Sequence, residues 1–112
     1  MTYENLDVWK RSSRLCVKIY KAMKTTKDYG FKDQITRSAL SVPSNIAEGL
    51  ERRSCKEQKH FLNIARGSAA ELKTQIYIGI EIDYIDRTQG KVWIKEVTDI
   101  TSMIYGLLKS MN

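Results

Sequence analysis

Apolar residues recur every three or four positions along most of the chain, which is the spacing of amphipathic α-helices. The first such series predicts a helix from about Leu6 to Lys24, with Asn5 as its N-cap. The segment that follows, residues 25–30, lacks this spacing and is predicted to be a loop. The core-facing side of the first helix consists of Leu6, Val8, Trp9, Ser13, Leu15, Cys16, Ile19, Tyr20 and Met23.

The second helix is predicted from about Phe31 to Glu48, with apolar positions at Ile35, Ala39, Val42 and Ile46. It contains the only proline of the sequence, Pro43. Because proline has no backbone N–H and crowds the preceding turn, we expect a local kink there. Gly49 fits the position just past the end of this helix.

Two further helices complete the pattern. Ser54 and Glu57 form a capping box that predicts the start of the third helix, and Asp86 with Gln89 forms another at the start of the fourth, which extends to about Ser110. Beyond Gln75 the third helix is apolar on nearly all sides, which indicates either a subunit contact or deep burial within one chain. Four helices with short connections predict a single all-α domain over residues 1–112, an antiparallel up-down-up-down four-helix bundle.

A stripe of polar residues runs beside the apolar side of the second helix. If the second and third helices are antiparallel around a turn near Arg52, Arg37 faces Gly67, and a buried Arg37–Glu71 ion pair is expected. This network is either a binding site or a set of contacts that fixes helix register, and we favour the second interpretation. Its predicted members are Gln34, Arg37, Asn45, Glu48, Ser68 and Glu71.

Positive charge is concentrated in the first half of the chain. The formal net charge is +6; residues 1–60 contain 13 basic and 7 acidic side chains, whereas residues 61–112 contain 6 of each. Such a surface fits either a polyanion such as nucleic acid or simple solvation. On the first interpretation, the predicted phosphate contacts are Lys10, Arg11, Arg14, Lys18, Lys21, Arg52 and Arg53.

The sequence shows no pattern typical of catalysis or metal binding. Glu57 and His60 have the spacing of a di-iron ligand pair, but the chain has a single histidine, so we expect His60 to lie at the surface. The two cysteines, Cys16 and Cys55, do not make a disulfide framework. We therefore predict a protein without enzyme activity, cofactor or metal, and the absence of a signal-like or membrane-spanning segment favours the cytoplasm.

Several short motifs resemble one protein family. The most specific is Ser41-Val42-Pro43-Ser44-Asn45-Ile46-Ala47-Glu48-Gly49, followed by Phe61-Leu62 and Ala65-Arg66-Gly67-Ser68 with Glu71. Earlier matches are Leu6-Asp7-Val8-Trp9, Ile19-Tyr20, Tyr29-Gly30, Gln34 and Arg37, and Arg53 and Glu57 also match. Together they are similar to the four-helix bundle proteins encoded in intervening sequences of bacterial 23S rRNA genes.

The resemblance implies assembly and a partner class. Members of this family form homopentamers, and the accessory protein of diversity-generating retroelements is similar in fold, binds nucleic acid and works with a reverse transcriptase. The resemblance thus implies a homopentamer, RNA or DNA as a partner, and a reverse transcriptase if the gene belongs to a retroelement. It supplies no catalytic residues. The leading interpretation is a basic oligomeric scaffold that binds nucleic acid without sequence specificity, and the alternative is a protein–protein adaptor.

Overall fold

The computed structural model describes residues 2–111 and contains four α-helices after a short 3-10 turn at Tyr3–Asn5. Helix α1 spans Asp7–Ala22, α2 spans Tyr29–Glu51, α3 spans Cys55–Glu81 and α4 spans Arg87–Lys109. Each helix packs against the next and α1 also packs against α4, giving a bundle with extents of 43 × 22 × 21 Å. The prediction of an all-α four-helix bundle is confirmed. Within residues 2–111, no helix has the length and hydropathy needed to cross a bilayer.

Three of the four helix starts have a side-chain cap. The carboxylates of Asp28 and Asp86 accept hydrogen bonds from the backbone N–H groups of Phe31 and Gln89, at 3.1 and 3.0 Å, and Ser54 caps α3 in the same way. These bonds satisfy donors that have no partner inside the helix. The predicted cap at Asn5 is wrong, because Asn5 lies in the 3-10 turn and α1 begins after Leu6 without a side-chain cap.

The end of α2 differs from the prediction. The helix continues through the buried Pro43 and past Gly49 to Glu51, so Gly49 lies inside the helix. A β-carbon at Gly49 would lie 3.1 Å from the carbonyl oxygen of Gln58 and 3.2 Å from Cβ of Phe61. Glycine at this position therefore allows close approach of α3, and it does not serve as a left-handed helix terminator.

The contacts between α2 and α3 show that these helices are antiparallel. Gly49 near the end of α2 lies against Phe61 near the start of α3, and the Ser41 and Ser68 hydroxyls meet in the middle at 2.7 Å. At the other end, the Tyr84 hydroxyl just after α3 donates a hydrogen bond of 2.9 Å to Asp28, the N-cap of α2.

The core contains most of the apolar positions that the helical spacing predicted, but Tyr20, predicted to face the core, is 44% exposed. The largest fully buried side chains of the core are Ile19, Met23, Ile35, Ile46, Leu62, Ile76, Val97, Ile100 and Ile104. The end of α3 is apolar on nearly all sides, but only part of it is buried. Ile76 and Ile80 are buried, whereas Tyr77 and Ile78 are 53% and 48% exposed. One side of this segment thus belongs to the core, and the other faces solvent.

Candidate nucleic-acid interface

The side of α1 that faces away from the core has a row of cations. Lys10, Arg14, Lys18 and Lys21 follow one another at intervals of four, four and three residues, and all but the half-buried Lys10 are exposed. At a rise of about 1.5 Å per residue this row is roughly 16 Å long. Asp7 is the only acidic residue of α1. We call these four residues the α1 cation row.

Arg11 belongs to the same helix but contacts α4. Its Nε and Nη2 atoms donate hydrogen bonds to both carboxylate oxygens of Glu96, at 2.9 and 2.6 Å. Nη2 also donates to Asp99 at 2.9 Å, and Lys95 lies 3.4 Å from the same carboxylate. These contacts join the first and last helices of the bundle.

The Arg11 contacts change the pKa values of all three groups. Hydrogen bonds from the guanidinium hold the pKa of Glu96 and of Asp99 below the usual carboxylate range, and the two carboxylates raise the pKa of Arg11. Lys18 also lowers the pKa of Glu96 through its charge, although the two groups do not form a salt bridge. Since two carboxylates already neutralise Arg11, the structure does not favour the predicted role of Arg11 in phosphate contact.

The two predicted arginines near the α2–α3 turn also differ from each other. Arg52 forms a 2.7 Å salt bridge with Glu48 one turn earlier, and its guanidinium lies 4.8 Å from the centre of the Phe61 ring. Arg53 is exposed, and no salt bridge involves it within residues 2–111. Of the seven predicted phosphate contacts, the structure therefore leaves five without a carboxylate partner in its described part: the α1 cation row and Arg53.

Two comparisons with known proteins identify the fold and the family. The model of the 23S rRNA-intervening sequence protein family matches residues 4–106. The chain belongs to this family. A crystal structure of a protein of unknown function from the S23 ribosomal protein family of Bacteroides thetaiotaomicron is similar, with 28% sequence identity and a TM-score of 0.85, over 91% of this chain and 98% of that one. No curated protein sequence matches.

The predicted polar network of this 23S rRNA-intervening sequence family member exists only in part. The Ser68 hydroxyl is buried and pairs with Ser41, and Nδ2 of Asn45 donates to the Ser41 hydroxyl at 2.9 Å and to the Ser41 carbonyl at 2.8 Å. The Ser41–Ser68 bond links α2 to α3, and Asn45 supports it from within α2. Their arrangement supports the interpretation that the network fixes helix register.

The buried Arg37–Glu71 pair is wrong. Arg37 is exposed and forms a 2.9 Å salt bridge with Asp33 on its own helix. Ser41, and not Arg37, lies across from the segment around Ser68, more than one helical turn from the predicted register. The other predicted members that lie at the surface are Gln34, Glu48 and Glu71.

His60 is exposed, as expected, and its ring contacts Phe61 edge-on at a centroid distance of 5.0 Å. Within residues 2–111 no three histidine, cysteine, aspartate or glutamate side chains are placed to share a metal ion.

Sequence reasoning missed Glu96 and Asp99. Their spacing of three places both on one side of a helix, and this was the available signal. Their partner, however, is 85 and 88 positions away in the sequence, so only the tertiary structure reveals the pairing.

Proposed function

We propose that this family member is a non-catalytic scaffold that binds RNA or DNA through phosphate contacts with little sequence specificity. The observation that supports the proposal is the α1 cation row, whose four side chains lie on one side of a single helix without salt bridges in the described residues. Arg53 adds a further cation at the α2–α3 turn.

The physical basis is counterion release. Each cation that neutralises a phosphate displaces condensed counterions, so affinity falls steeply as salt rises. Contacts of this kind position a nucleic acid but do not read its bases. A row of three lysines and one arginine on the surface of one helix therefore predicts salt-sensitive binding with little preference for sequence.

Fluorescence anisotropy of labelled RNA and DNA across a salt series tests this proposal. The variant Lys10→Gln/Arg14→Gln/Lys18→Gln/Lys21→Gln should bind more weakly and lose about 3 units of the slope of log K against log salt, at roughly 0.7–0.9 per phosphate contact. The matched control is Arg66→Gln/Lys73→Gln/Lys91→Gln/Lys109→Gln, which removes the same charge from α3 and α4. Equal weakening in both variants, or no binding by the natural sequence at about 50 mM salt, contradicts the proposal.

A second candidate function, assembly, rests on a different surface. The end of α3 and the turn after it expose apolar side chains that favour association, with exposed fractions of 40–53% for Tyr77, Ile78, Ile82 and Tyr84. We propose that this surface contributes to a homopentamer, the state that the family resemblance implies. If nucleic acid does not bind, the same surface supports the alternative of a protein–protein adaptor, with a reverse transcriptase as one partner to test.

Light scattering on the purified protein tests the assembly. The expected mass is five times that of the 12.9 kDa chain. The variant Ile78→Glu/Ile82→Glu should give a smaller species, whereas the control Leu40→Glu on α2, where Leu40 is 48% exposed, should leave the mass unchanged. A monomer for the natural sequence rules out the pentamer.

A further inference from the structure

A cleft separates α1 from α4 beside the α1 cation row. Its volume is about 330 Å³, which lies at the lower end of the range for small-molecule sites. Leu15 and Trp93 are 3% and 2% exposed and form its apolar floor. Arg14, Lys18 and Val92 are exposed at its edge, and the Arg11–Glu96 ion pair closes one side.

The floor of this cleft includes an unused hydrogen-bond donor. The indole nitrogen of the buried Trp93 has no acceptor within the described residues. Buried donors are nearly always paired, but this nitrogen is itself shielded from solvent, so it could bond a ligand acceptor only after the indole ring moves. The cleft thus combines an apolar floor and two cations without salt bridges.

These groups match the parts of one nucleotide. A nucleobase offers a flat apolar surface and several acceptors, and its phosphate requires cations at the opposite end. Glu96 repels a phosphate and already neutralises Arg11, so the phosphate belongs on Arg14 and Lys18, which have no salt bridge in the described residues. A bare inorganic anion would use the cations but leave the apolar floor uncovered.

We propose that the α1–α4 cleft holds one unpaired nucleotide of a bound RNA or DNA strand, with its phosphate on Arg14 and Lys18 and its base over Leu15 and Trp93. This inference rests on the proposed nucleic-acid function and specifies its substrate class: single-stranded or locally unpaired nucleic acid. A base inside a duplex is stacked and paired, and it can enter the cleft only after it leaves the helix.

Phosphate contact and insertion of a base into the cleft predict opposite preferences between duplex and single-stranded nucleic acid. A duplex has a higher charge density than a single strand, so phosphate contact alone favours the duplex at low salt. Insertion of a base into the cleft favours the single strand, because its bases are already accessible. The ratio of the two affinities therefore measures the contribution of the cleft.

The test compares anisotropy titrations of a labelled single strand and a duplex of equal phosphate number at about 50 mM salt. The natural sequence should bind the single strand about fivefold more tightly. Val92→Trp, at a position 57% exposed, should fill the cleft and remove this preference while leaving duplex affinity within about twofold. The matched control is Ile64→Trp on α3, which does not pack against α1 and should keep the preference.

The remaining outcomes distinguish failure of the cleft proposal from failure of the phosphate-contact proposal. Equal affinity for both probes, or a preference for the duplex in the natural sequence, overturns the cleft proposal and leaves the phosphate-contact function in place. A single-strand preference that persists in Val92→Trp also overturns it, since the base then binds elsewhere. No binding to either probe overturns both proposals. Because the ratio for the natural sequence can by itself overturn the proposal, the test does not depend on the folding of a tryptophan variant.

Discussion

Arg11 of α1 and Glu96 of α4 form a two-point ion pair across the seam between the first and last helices, with hydrogen bonds of 2.9 and 2.6 Å. Both side chains are 30% exposed, so water screens the pair only in part. Bidentate arginine–carboxylate pairs have a fixed geometry that single-point pairs lack. This contact holds α1 against α4, beside the cleft that Arg14 and Lys18 of the α1 cation row also line.

Removal of the pair should destabilise the protein modestly. We expect Arg11→Met to lower the free energy of unfolding by about 1 kcal/mol, the upper end for ion pairs that are partly exposed. Arg14→Met, in the same helix but without a salt bridge in residues 2–111, should change it by less than about 0.5 kcal/mol. Urea unfolding measures both, and an equal effect of the two substitutions would show that the ion pair contributes nothing.

The same pair predicts a pH dependence. Hydrogen bonds from Arg11 lower the pKa of Glu96 in the folded protein, so the stabilisation is complete above the ordinary glutamate pKa of about 4.3. It is lost as the pH falls through the lowered value in the folded state. Unfolding curves of the natural sequence and of Arg11→Met should therefore differ at pH 6–7 and converge in acid. A difference that stays constant down to about pH 2 would assign the effect to packing.

Two helical glycines should respond to alanine with opposite signs. At Gly49 a methyl group would press on the Gln58 carbonyl and on Cβ of Phe61, and neither can move by side-chain rotation. We expect Gly49→Ala to destabilise the protein by about 1–2 kcal/mol, overpacking outweighing the helix propensity of alanine. At Gly67 nothing lies within 4 Å, so Gly67→Ala should stabilise it by about 0.5–1 kcal/mol. Thermal and urea unfolding measure the sign of each change in stability. Stabilisation by Gly49→Ala would mean that α3 can move away from α2 to make room for the methyl group.

The Ser41–Ser68 contact should contribute measurably to stability. Ser68→Ala removes a buried hydroxyl that pairs with Ser41 at 2.7 Å, and the expected cost is about 1 kcal/mol. Ser44→Ala is the control, because Ser44 is exposed on α2. Replacing either serine with alanine raises helix propensity by the same amount. The difference between the two variants in urea unfolding isolates the hydrogen bond, and no difference would show that solvent replaces it.

The confirmed predictions concern features that depend on residues close together in the sequence. Helical spacing placed all four helices, and the caps at Ser54 and Asp86 were recognisable because a cap bonds to a backbone group three residues away. The motifs around Pro43 also led to the correct family. In the candidate interface, the α1 cation row was visible as one side of a helix.

Errors arose where the partner is distant in the sequence. The predicted α2–α3 register, in which Arg37 faces Gly67, was wrong, because Ser41 lies opposite Ser68 and the closest contacts between the two helices set the register. Arg11 looked the same as its basic neighbours until α4 placed two carboxylates beside it. The division of the α3 end into a buried and an exposed side likewise required the neighbouring helices.

The amino-acid sequence alone was therefore sufficient for the presence of four helices, for the caps of α3 and α4 and for the sign of the net charge, because each depends on residue type or on interactions within about one or two helical turns. Which cations keep their charge available, which glycine allows close helix contact, and where the α1–α4 cleft opens were decided only by packing. These features depend on the distance between side chains on different helices, and that distance is set by how complete helices fit against one another.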